Sequence, residues 1–249
     1  MKNKNIVIGI RPIIEAIKSN ENNFDKIIIK KGLKGSLFFE MLGIIKDNNI
    51  KHQFVPIEKI NKISQKNHQG VIGFKNIINT HNIEILLPSI YEKGENPFLL
   101  IVDQVTDTRN LGAIIRVAEC YGLHAVIIPE KNCAPINELT YKTSAGAINH
   151  IPICKENDLF KTVNYLKESG VNIISCSEKS NKNINEIDIK TPLCVVVGSE
   201  EKGISKQILK SSDEQVKIPL YGKIESLNVS VAAGIILYEC VRQIKLSVS

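Results

Sequence analysis

The chain has 249 residues, 43% of them hydrophobic and 23% charged, which is typical of a soluble globular protein with one large domain or two smaller ones. It has no apolar run near the ~20 residues that cross a bilayer and no signal-peptide pattern, so we expect a cytoplasmic protein with no membrane partner. The net charge of +6 lies entirely in residues 1–95, which carry 15 basic and 9 acidic side chains. This split predicts a polyanion-facing module joined to a neutral body, but a lysine-rich surface that serves solubility alone accounts for it equally well.

Residues 6–75 alternate short apolar strands with amphipathic helical segments, which predicts a small α/β domain. The predicted strands are Ile6–Gly9, Lys26–Lys30, His52–Val55 and Val71–Phe74, and the predicted helices are Arg11–Lys18, Leu37–Asn48 and Pro56–Ile63. Lysines recur near the ends of these elements, from which they can reach phosphates: Lys30, Lys31, Lys34, Lys51, Lys59, Lys62 and Lys66. The loop His68–Gly70 is compatible with a ligand contact or with a plain turn. Residues 77–96 have weaker periodicity and predict a linker with at most one helical turn.

The remainder alternates strands and helices, which predicts a mostly parallel sheet with helices on both faces. The predicted strands are Phe98–Val102, His124–Ile128, Ile151–Ile153, Val171–Cys176 and Leu193–Val197, and the predicted helices follow Asn110 and cover Asn137–Ala147 and Asp158–Ser169. Ligands of such sheets bind at the carboxyl ends of the strands. The segment that follows the first of these strands is therefore the first candidate for a functional site.

In that segment, Asn110 occupies a position suited to a helix N-cap. Leu111, Ile114, Ile115 and Ala118 would share the buried face of the helix. Gly112 and Arg116 fall on another face, where the glycine would leave open space one turn before the arginine.

Two further segments have residue patterns that indicate a site. Gly198–Ile204 follows a buried strand but lacks the Lys and Ser/Thr of a phosphate-binding loop, and its Glu200 would repel a pyrophosphate. The loop therefore suits a neutral or cationic ligand, although a structural glycine turn explains it as well. The later segment Val229–Val241 is apolar nearly all round, which predicts a buried helix capped by Asn228 or Ser226. The small residues 232–234 in this helix predict close packing of another backbone, at an interface or a chain crossing.

The six cysteines form no CxxC pair, and the five histidines have no metal-ligand spacing. We therefore expect reduced, buried, structural thiols and no metal. These cysteines are Cys120, Cys133, Cys154, Cys176, Cys194 and Cys240.

Three stretches together resemble the motifs of the SpoU, or TrmH, family of RNA ribose 2′-O-methyltransferases. They are NLGAIIR (Asn110–Arg116), VGSEEKG (Val197–Gly203) and IPLYGKIESLNVSVAAG (Ile218–Gly234), in the family's order and spacing. Gly9-x-Arg11-Pro12 and His68–Val71 resemble the substrate-binding domain of the bacterial ribosomal RNA branch, which methylates guanosine ribose in large-subunit RNA.

The resemblance implies a SPOUT-type α/β fold with a C-terminal trefoil knot, preceded by a small α/β domain similar to a ribosomal protein. It implies an RNA-binding domain at residues 1–76, a linker at 77–96 and a knotted methyltransferase domain at 97–249. It further implies a homodimer with active sites at the subunit interface, S-adenosylmethionine as the cofactor, no metal, and ribosomal RNA as the partner.

The resemblance also implies the site residues. The cofactor would be held by Gly198, Glu200, Ile218, Ser226, Leu227 and Asn228. The catalytic residues would be Asn110, Arg116, Glu200 and Asn228. A guanidinium is a poor base, so we expect Arg116 to grip a phosphate and stabilise the developing alkoxide, while Asn110 orients Arg116 or the ribose.

Three other interpretations stand beside this one. The substrate could be transfer RNA, or the chain could be a non-enzymatic RNA-binding assembly factor with a degenerate site. A nicotinamide-dependent α/β enzyme is the third, and the absence of GxGxxG disfavours it.

Overall fold

The computed structural model describes residues 6–18, 24–75 and 80–246, apart from the side chain of Asp25. The chain divides into two compact units, Met1–Asn79 and Thr80–Ser249. Each unit has its own sheet.

The first unit contains a four-stranded mixed sheet of order β1-β4-β2-β3, in which β2 and β3 run parallel. Its strands are β1 (Ile6–Ile8), β2 (Phe24–Lys30), β3 (His52–Val55) and β4 (Val71–Lys75), and its helices are α1 (Ile10–Lys18), α2 (Ser36–Asp47) and α3 (Ile57–Asn61). Side chains alternate across β2, so Ile27 and Ile29 pack with α1 and α2 while Ile28 packs with Ile60 of α3. The predicted small α/β unit is confirmed, with α3 shorter than expected.

The second unit contains a seven-stranded sheet of order β7-β6-β5-β10-β8-β11-β9, in which every neighbouring pair is parallel. Its strands are β5 (Phe98–Asp103), β6 (Ala125–Pro129), β7 (Ile153–Glu156), β8 (Asn172–Cys176), β9 (Lys182–Asn183), β10 (Leu193–Gly198) and β11 (Glu214–Lys217). Its helices are α4 (Ile83–Glu92), α5 (Thr108–Cys120), α6 (Glu138–Thr143), α7 (Leu159–Glu168), α8 (Lys206–Ser211) and α9 (Val229–Leu246), with 3₁₀ turns at Ala147–Asn149 and Ile184–Glu186. The predicted parallel α/β fold is confirmed.

Helices cover both faces of this sheet. Leu99 and Ile101 of β5 share a buried cluster with α4, α7 and α8, whereas Leu100 and Val102 point to the other face and are equally buried. Helices α5 and α9 pack against each other and contact the sheet at β6 and β10.

The range 77–96 is not only a linker. Asn82 caps α4, and Ile83, Leu87 and Ile90 of this helix belong to the core of the second unit. Residues 76–79 lie outside the described part of the chain.

Two predicted bounds in the second unit are wrong. The helix expected over Asn137–Ala147 ends at Thr143, because Ala145 and Gly146 have φ values of 51° and 87° that no right-handed helix accommodates. The strand expected at Ile151–Ile153 begins at Ile153. Within residues 6–18, 24–75 and 80–246, no helix combines the length and apolarity that a membrane span requires.

The direction in which successive strands are added to the sheet reverses between β5 and β10. The chain runs from β5 outward through β6 to β7, and the later strands lie on the other side of β5. Asp103 and Gly198, the last residues of β5 and β10, are paired in register. A parallel sheet leaves a crevice at such a switch point, outside the carboxyl ends of the strands.

Candidate active site

One carboxylate connects the three sequence segments that resembled motifs. Glu200 Oε1 accepts hydrogen bonds from Asn228 Nδ2 at 2.6 Å, from the backbone N–H of Val229 at 3.0 Å and from Asn110 Nδ2 at 3.3 Å. Asn228 Nδ2 also donates to Asn110 Oδ1 at 3.0 Å. We call Asn110, Glu200 and Asn228 the Glu200 cluster. Residues distant in sequence thus form one polar group at the switch point.

Helix α5 presents Asn110 from its first turn. Asp107 caps the helix, since its Oδ1 accepts from the backbone N–H groups of Arg109 and Asn110, both at 2.8 Å. The expectation that Asn110 is the N-cap is therefore wrong. Because Asp107 satisfies these backbone donors, the amide side chain of Asn110 is free to reach Glu200 and Asn228.

Helix α9 begins at the cluster. Asn228 Oδ1 accepts from the backbone N–H of Ser230 at 3.0 Å and from its hydroxyl at 2.6 Å, so Asn228, rather than Ser226, caps the helix. The Val229 N–H that binds Glu200 is one of the donors left unpaired at a helix start. The helix dipole therefore favours the negative charge of Glu200 at this position.

The other oxygen of Glu200 is open to a ligand. All three bonds from the cluster and Val229 end on Oε1. Oε2 accepts no hydrogen bond from any residue that the structure describes, and Glu200 is exposed. The cluster therefore holds a carboxylate in a fixed orientation with one free acceptor.

A pocket opens beside the cluster, and we call it the Gly198 pocket. Its apolar walls come from Val197, Ile218, Leu227 and Ala232, and its polar rim includes Ser199 and Ser226. Glu178, Glu200 and Glu225 also line it, with no lysine or arginine among its lining residues. Such a lining suits a ligand with an apolar body and a positive charge, and disfavours a pyrophosphate.

A tight loop forms one edge of this pocket. A Cβ added to Gly198 would lie 2.2 Å from the carbonyl carbon of Gly203 and 2.4 Å from the backbone nitrogen of Ile204. Gly203 itself has φ of 65° and donates its N–H to Ser199 O at 2.8 Å. Only glycine allows the backbone to pass this closely, so Gly198 lets the loop close tightly beside the pocket that it lines.

Of the predicted cofactor residues, five line the Gly198 pocket, namely Gly198, Glu200, Ile218, Ser226 and Leu227. Asn228 is not part of the lining, but it donates a hydrogen bond to Glu200, which is.

Arg116 lies apart from the Glu200 cluster. It is exposed on α5, six residues after Asn110, and forms no hydrogen bond or ion pair with the residues that the structure describes. Gly112 does not leave open space before it, contrary to expectation. Gly112 is buried against α6, where an added Cβ would lie 1.9 Å from Thr143 Oγ1.

The sequence predicted that helix α9 is buried on all faces, and this prediction is wrong. Val231, Ile235 and Tyr238 share one face and keep 49%, 40% and 57% of their surface exposed. We call these three residues the α9 stripe. Gly234, on a neighbouring face, contacts Val117 of α5, with 3.9 Å between an added Cβ and Val117 Cγ1.

A second, polar cavity adjoins the cluster from the other side, and we call it the Asn110 cleft. Gln104, Asp107, Asn132 and Lys202 line it together with Asn110 and Glu200. Neither Gln104 nor Asn132 belongs to the three motifs, so neither was predicted as a site residue. Each follows the end of a parallel strand, β5 or β6, and that position was the available signal.

The loop His68–Gly70 of the first unit is held by internal hydrogen bonds. His68 Nδ1 accepts from the N–H of Gly70 at 2.9 Å, and His68 Nε2 lies 2.9 Å from Asn61 Oδ1. Gln69 Oε1 accepts from the N–H of Ile10 at 3.1 Å. These contacts give the loop a structural role.

All six cysteines are free thiols, but they are not all buried. Cys120 is exposed, and Cys133 and Cys176 are half-buried. Burial raises the pKa of Cys176 to about 12 and that of Cys133 to about 11, so both thiols are protonated at neutral pH. Among the described residues, no three His, Cys, Asp or Glu side chains form a group that could hold a metal ion.

Family models match both units. The SpoU rRNA Methylase family matches residues 97–238, and the RNA 2′-O ribose methyltransferase substrate binding model matches residues 6–75. YacO of Bacillus subtilis (strain 168), which is named for the TrmH family of tRNA/rRNA methyltransferases, is 32% identical over 237 residues, or 95% of each chain. A Staphylococcus saprophyticus protein named for the same family is 32% identical over 238 residues, covering 96% of this chain and 95% of its own.

Solved structures have the same fold. The SpoU methyltransferase AviRb from Streptomyces viridochromogenes, in complex with AdoMet, aligns with a TM-score of 0.61 at 20% identity, covering 97% of this chain and 90% of its own. The A. aeolicus TrmH/SpoU tRNA modifying enzyme aligns with a TM-score of 0.56 at 31% identity, covering 66% of this chain and 85% of its own.

Proposed function

This chain belongs to the SpoU methylase family of RNA methyltransferases, and from that premise we propose that it moves a methyl group from S-adenosylmethionine to a ribose 2′-hydroxyl, in guanosine of large-subunit ribosomal RNA. The observation that carries the proposal is the Glu200 cluster, which unites the three motif segments between the Gly198 pocket and the Asn110 cleft. A methyl donor on one side and a ribose on the other would meet at this cluster.

The Gly198 pocket fits S-adenosylmethionine. Its carboxylates, Glu178, Glu200 and Glu225, favour a cation, and Val197, Ile218 and Leu227 offer apolar contact to a planar ring. Gly198 itself lines the pocket, so its backbone groups can contact the ligand. When bound, the cofactor supplies an electrophilic methyl group.

The residues of the Glu200 cluster would position the ribose. Oε2 of Glu200 is free to accept the hydrogen bond of a ribose hydroxyl, while Asn110 and Asn228 fix the orientation of the carboxylate. In an in-line displacement, an enzyme accelerates the reaction mainly by aligning the attacking oxygen with the methyl carbon. Asn110 thus orients Glu200 and the ribose, since it makes no hydrogen bond to Arg116 among the described residues.

We propose that Arg116 serves the site of a second copy. Arg116 is exposed on α5, and α5 packs against α9. The α9 stripe is solvent-exposed in a single chain. A homodimer that covers the stripe would bring Arg116 of the partner subunit toward the Glu200 cluster. There its fixed positive charge would bind a phosphate and stabilise the developing alkoxide.

Mixed dimers test this arrangement. Arg116→Ala and Asn228→Ala are each expected to abolish turnover, and mixing the two variants after dissociation should restore about a quarter of wild-type activity, because one site in each heterodimer is intact. A site built within one chain would recover no activity on mixing. Sedimentation of each variant checks that the dimers form.

The first unit would bind the RNA. It matches the substrate-binding family model, and the excess positive charge of the chain lies within residues 1–95. The alternative substrate is transfer RNA, which is favoured by the 31% identity to a tRNA modifying enzyme. An intact Glu200 cluster disfavours a non-enzymatic assembly factor. An RNA substrate of either class implies a cytoplasmic enzyme.

The proposed activity is tested by transfer of labelled methyl groups from S-adenosylmethionine to ribosomal and transfer RNA pools. The modified ribose is then mapped by its resistance to alkaline cleavage. We expect label in large-subunit ribosomal RNA, and none with Asn228→Ala. Label in transfer RNA alone would support the alternative, and label in neither pool would refute both.

The trefoil knot of the family is also proposed for the second unit. It is supported by the position of β10 between β5 and β8 and by the packing of α9 on α5 and β10. Pulling single molecules from both ends tests it, because a knotted chain extends to a shorter contour length than its residue number predicts.

A further inference from the structure

A third cavity lies at the carboxyl ends of three neighbouring parallel strands, and we call it the Gln207 pocket. Asp103 of β5, Pro129 of β6 and Asn157, one residue after β7, line it together with Gln207 of α8. Gln104 and Asn132 line both this pocket and the Asn110 cleft, so the two cavities adjoin at these side chains. A ligand group bound in the pocket would therefore lie next to whatever occupies the cleft.

The lining of the Gln207 pocket is rich in unpaired primary amides. Gln104, Asn132, Asn157 and Gln207 each carry an amide side chain that makes no hydrogen bond with the described residues. Every primary amide offers a donor pair and an acceptor on one plane. Four such groups around one cavity suit a flat ligand whose edge alternates donors and acceptors.

The charges of the pocket disfavour an anion or a metal ion. Asp103, Asp158 and Lys131 line it, which leaves a net negative charge that would repel a phosphate. One oxygen of each carboxylate is engaged, since Asp103 Oδ2 accepts from the N–H of Ser205 at 2.7 Å and Asp158 Oδ1 caps α7. No third acidic, histidine or cysteine side chain lines the pocket to complete a metal site. Phe160 adds an aromatic surface. The chemistry is that of a heteroaromatic ring.

We propose that the Gln207 pocket binds an unpaired nucleobase of the substrate RNA, within one nucleotide of the methylated ribose; this rests on the proposed function. Proteins read single-stranded RNA by hydrogen bonds to exposed base edges and by aromatic contacts, and amide side chains match such edges. Gln104, Asn132 and Gln207 are then specificity-determining residues for the methyl-transfer reaction.

Two pocket variants and two matched controls test the proposal. Asn132→Asp keeps the side-chain shape and a residue type that tolerates the φ of 57° at this position, but removes the amide donors. Gln207→Ala removes an amide from α8 without changing charge. Asn181→Asp and Lys210→Ala are the controls, since both residues are exposed and neither lines the pocket.

The first measurement is methyl transfer to the RNA fragment that wild-type protein modifies, made with an abasic nucleotide at the target or at either neighbour. We expect each pocket variant to lose about tenfold in kcat/KM on the intact fragment, with unchanged S-adenosylmethionine affinity and near-normal controls. At one of the three positions, removing the base should lower kcat/KM of the wild-type protein about tenfold. For the pocket variants, removing the same base should cause no further fall in kcat/KM, because the contact is already lost. Additive losses at all three positions, or pocket variants that behave like wild type, would overturn the proposal.

The second measurement does not need methyl transfer. Binding of a fluorescent single-stranded RNA hexamer of random sequence is followed by anisotropy at fixed salt. Gln207→Ala should weaken binding more than Lys210→Ala, although only the control removes a positive charge. Equal or reversed order would count against the pocket. If wild type methylates neither RNA pool, the proposed function fails, and this hexamer comparison still decides whether the pocket binds a base.

Discussion

At the scale of single residues, a substitution of Glu200 can remove the negative charge of the side chain while keeping its shape. In Glu200→Gln, the amide oxygen can still accept from Asn110, Asn228 and the Val229 N–H, so the cluster should keep its geometry. The free acceptor and the negative charge are lost. We expect turnover to fall about 100-fold and stability to change by less than ~1 kcal/mol.

Single-turnover methyl transfer and thermal unfolding measure the two effects of Glu200→Gln. Glu168→Gln, an exposed carboxylate at the end of α7, is the control and should match wild type. Turnover of Glu200→Gln equal to that of the control would show that the carboxylate charge has no part in the reaction.

Gly198 is the residue that allows the loop beside the Gly198 pocket to close tightly. In Gly198→Ala, the new methyl group would lie 2.2 Å from Gly203, so the loop must move. We expect a loss of at least about tenfold in S-adenosylmethionine affinity and of about 1–3 kcal/mol in the free energy of unfolding. Calorimetry and urea titration measure these quantities.

Gly43→Ala is the matched control for Gly198→Ala. Gly43 lies inside α2, where an added Cβ meets nothing within 4 Å. Alanine favours a helix interior over glycine, so this variant should gain about 0.5–1 kcal/mol. A destabilised control together with a normal Gly198→Ala would contradict the packing assigned to both glycines.

The sequence predicted pocket residues better than cap residues. Gly198, Glu200, Ile218, Ser226 and Leu227 were found by their motifs, and all of them line the pocket. The start of α5 was misplaced because Asp107 and Asn110 can both cap a helix, and only the structure shows that Asp107 does so. Gln104 and Asn132 belong to none of the three motifs. Their one signal is a position after a strand end, and the adjacency of β5 and β6 brings them together.

At the scale of elements, α5 and α6 depend on one glycine. In Gly112→Ala, the added methyl group would lie 1.9 Å from Thr143 Oγ1 and 2.9 Å from the backbone oxygen of Thr140. The two helices must separate, and we expect a cost of about 1–3 kcal/mol. Urea unfolding of Gly112→Ala measures this cost.

A second substitution identifies the source of that cost. Gly112→Ala with Thr143→Ala should recover part of the lost stability, because the nearest clash, with Oγ1, is removed while the contacts with Thr140 O and the residue-143 Cβ, both at 2.9 Å, remain. Simple addition of the two single effects would mean that the helices do not meet at this point.

The α9 stripe explains why the helix was misread from its sequence. Val231, Ile235 and Tyr238 are apolar, so the segment was interpreted as buried on every face. Apolar residues have the same pattern whether they face their own core or a second subunit. Sequence periodicity identifies a surface that avoids water but does not identify what covers it.

At the scale of the whole molecule, charge is concentrated in the part that would bind RNA. Lys30, Lys31 and Lys34 are exposed in the first unit. Replacing all three with glutamine should lower the slope of log affinity against log salt by up to about 2, since each phosphate contact contributes about 0.7 on single-stranded RNA. Filter binding between about 50 and 300 mM salt measures the slope.

A matched triple variant in the second unit controls for net charge. Lys161, Lys206 and Lys210 are also exposed, and their replacement with glutamine should leave the slope nearly unchanged. Equal slopes for the two triple variants would assign the charge of the first unit to solubility.

The class of fold was more predictable from the sequence than the helix in residues 77–96 or the path of the chain. Alternating strands and helices indicated the parallel sheet, because buried parallel strands such as Leu193–Gly198 are apolar throughout. The helix Ile83–Glu92 was missed, since Pro88 and a short apolar face weaken its periodicity. A knot leaves no trace in periodicity, because it depends on the path of the chain and not on local preference.

The order in which residues of the Glu200 cluster are synthesised gives the site a built-in delay. Asn110 and Glu200 leave the ribosome before Asn228, and the carboxylate has only part of its hydrogen bonds until α9 begins to fold. A nascent chain that already carries the first unit would therefore still lack a complete Glu200 cluster. If the Glu200 cluster positions the ribose as proposed, methyl transfer would start only when the last motif has closed on the first two, and activity would report that the second unit has folded.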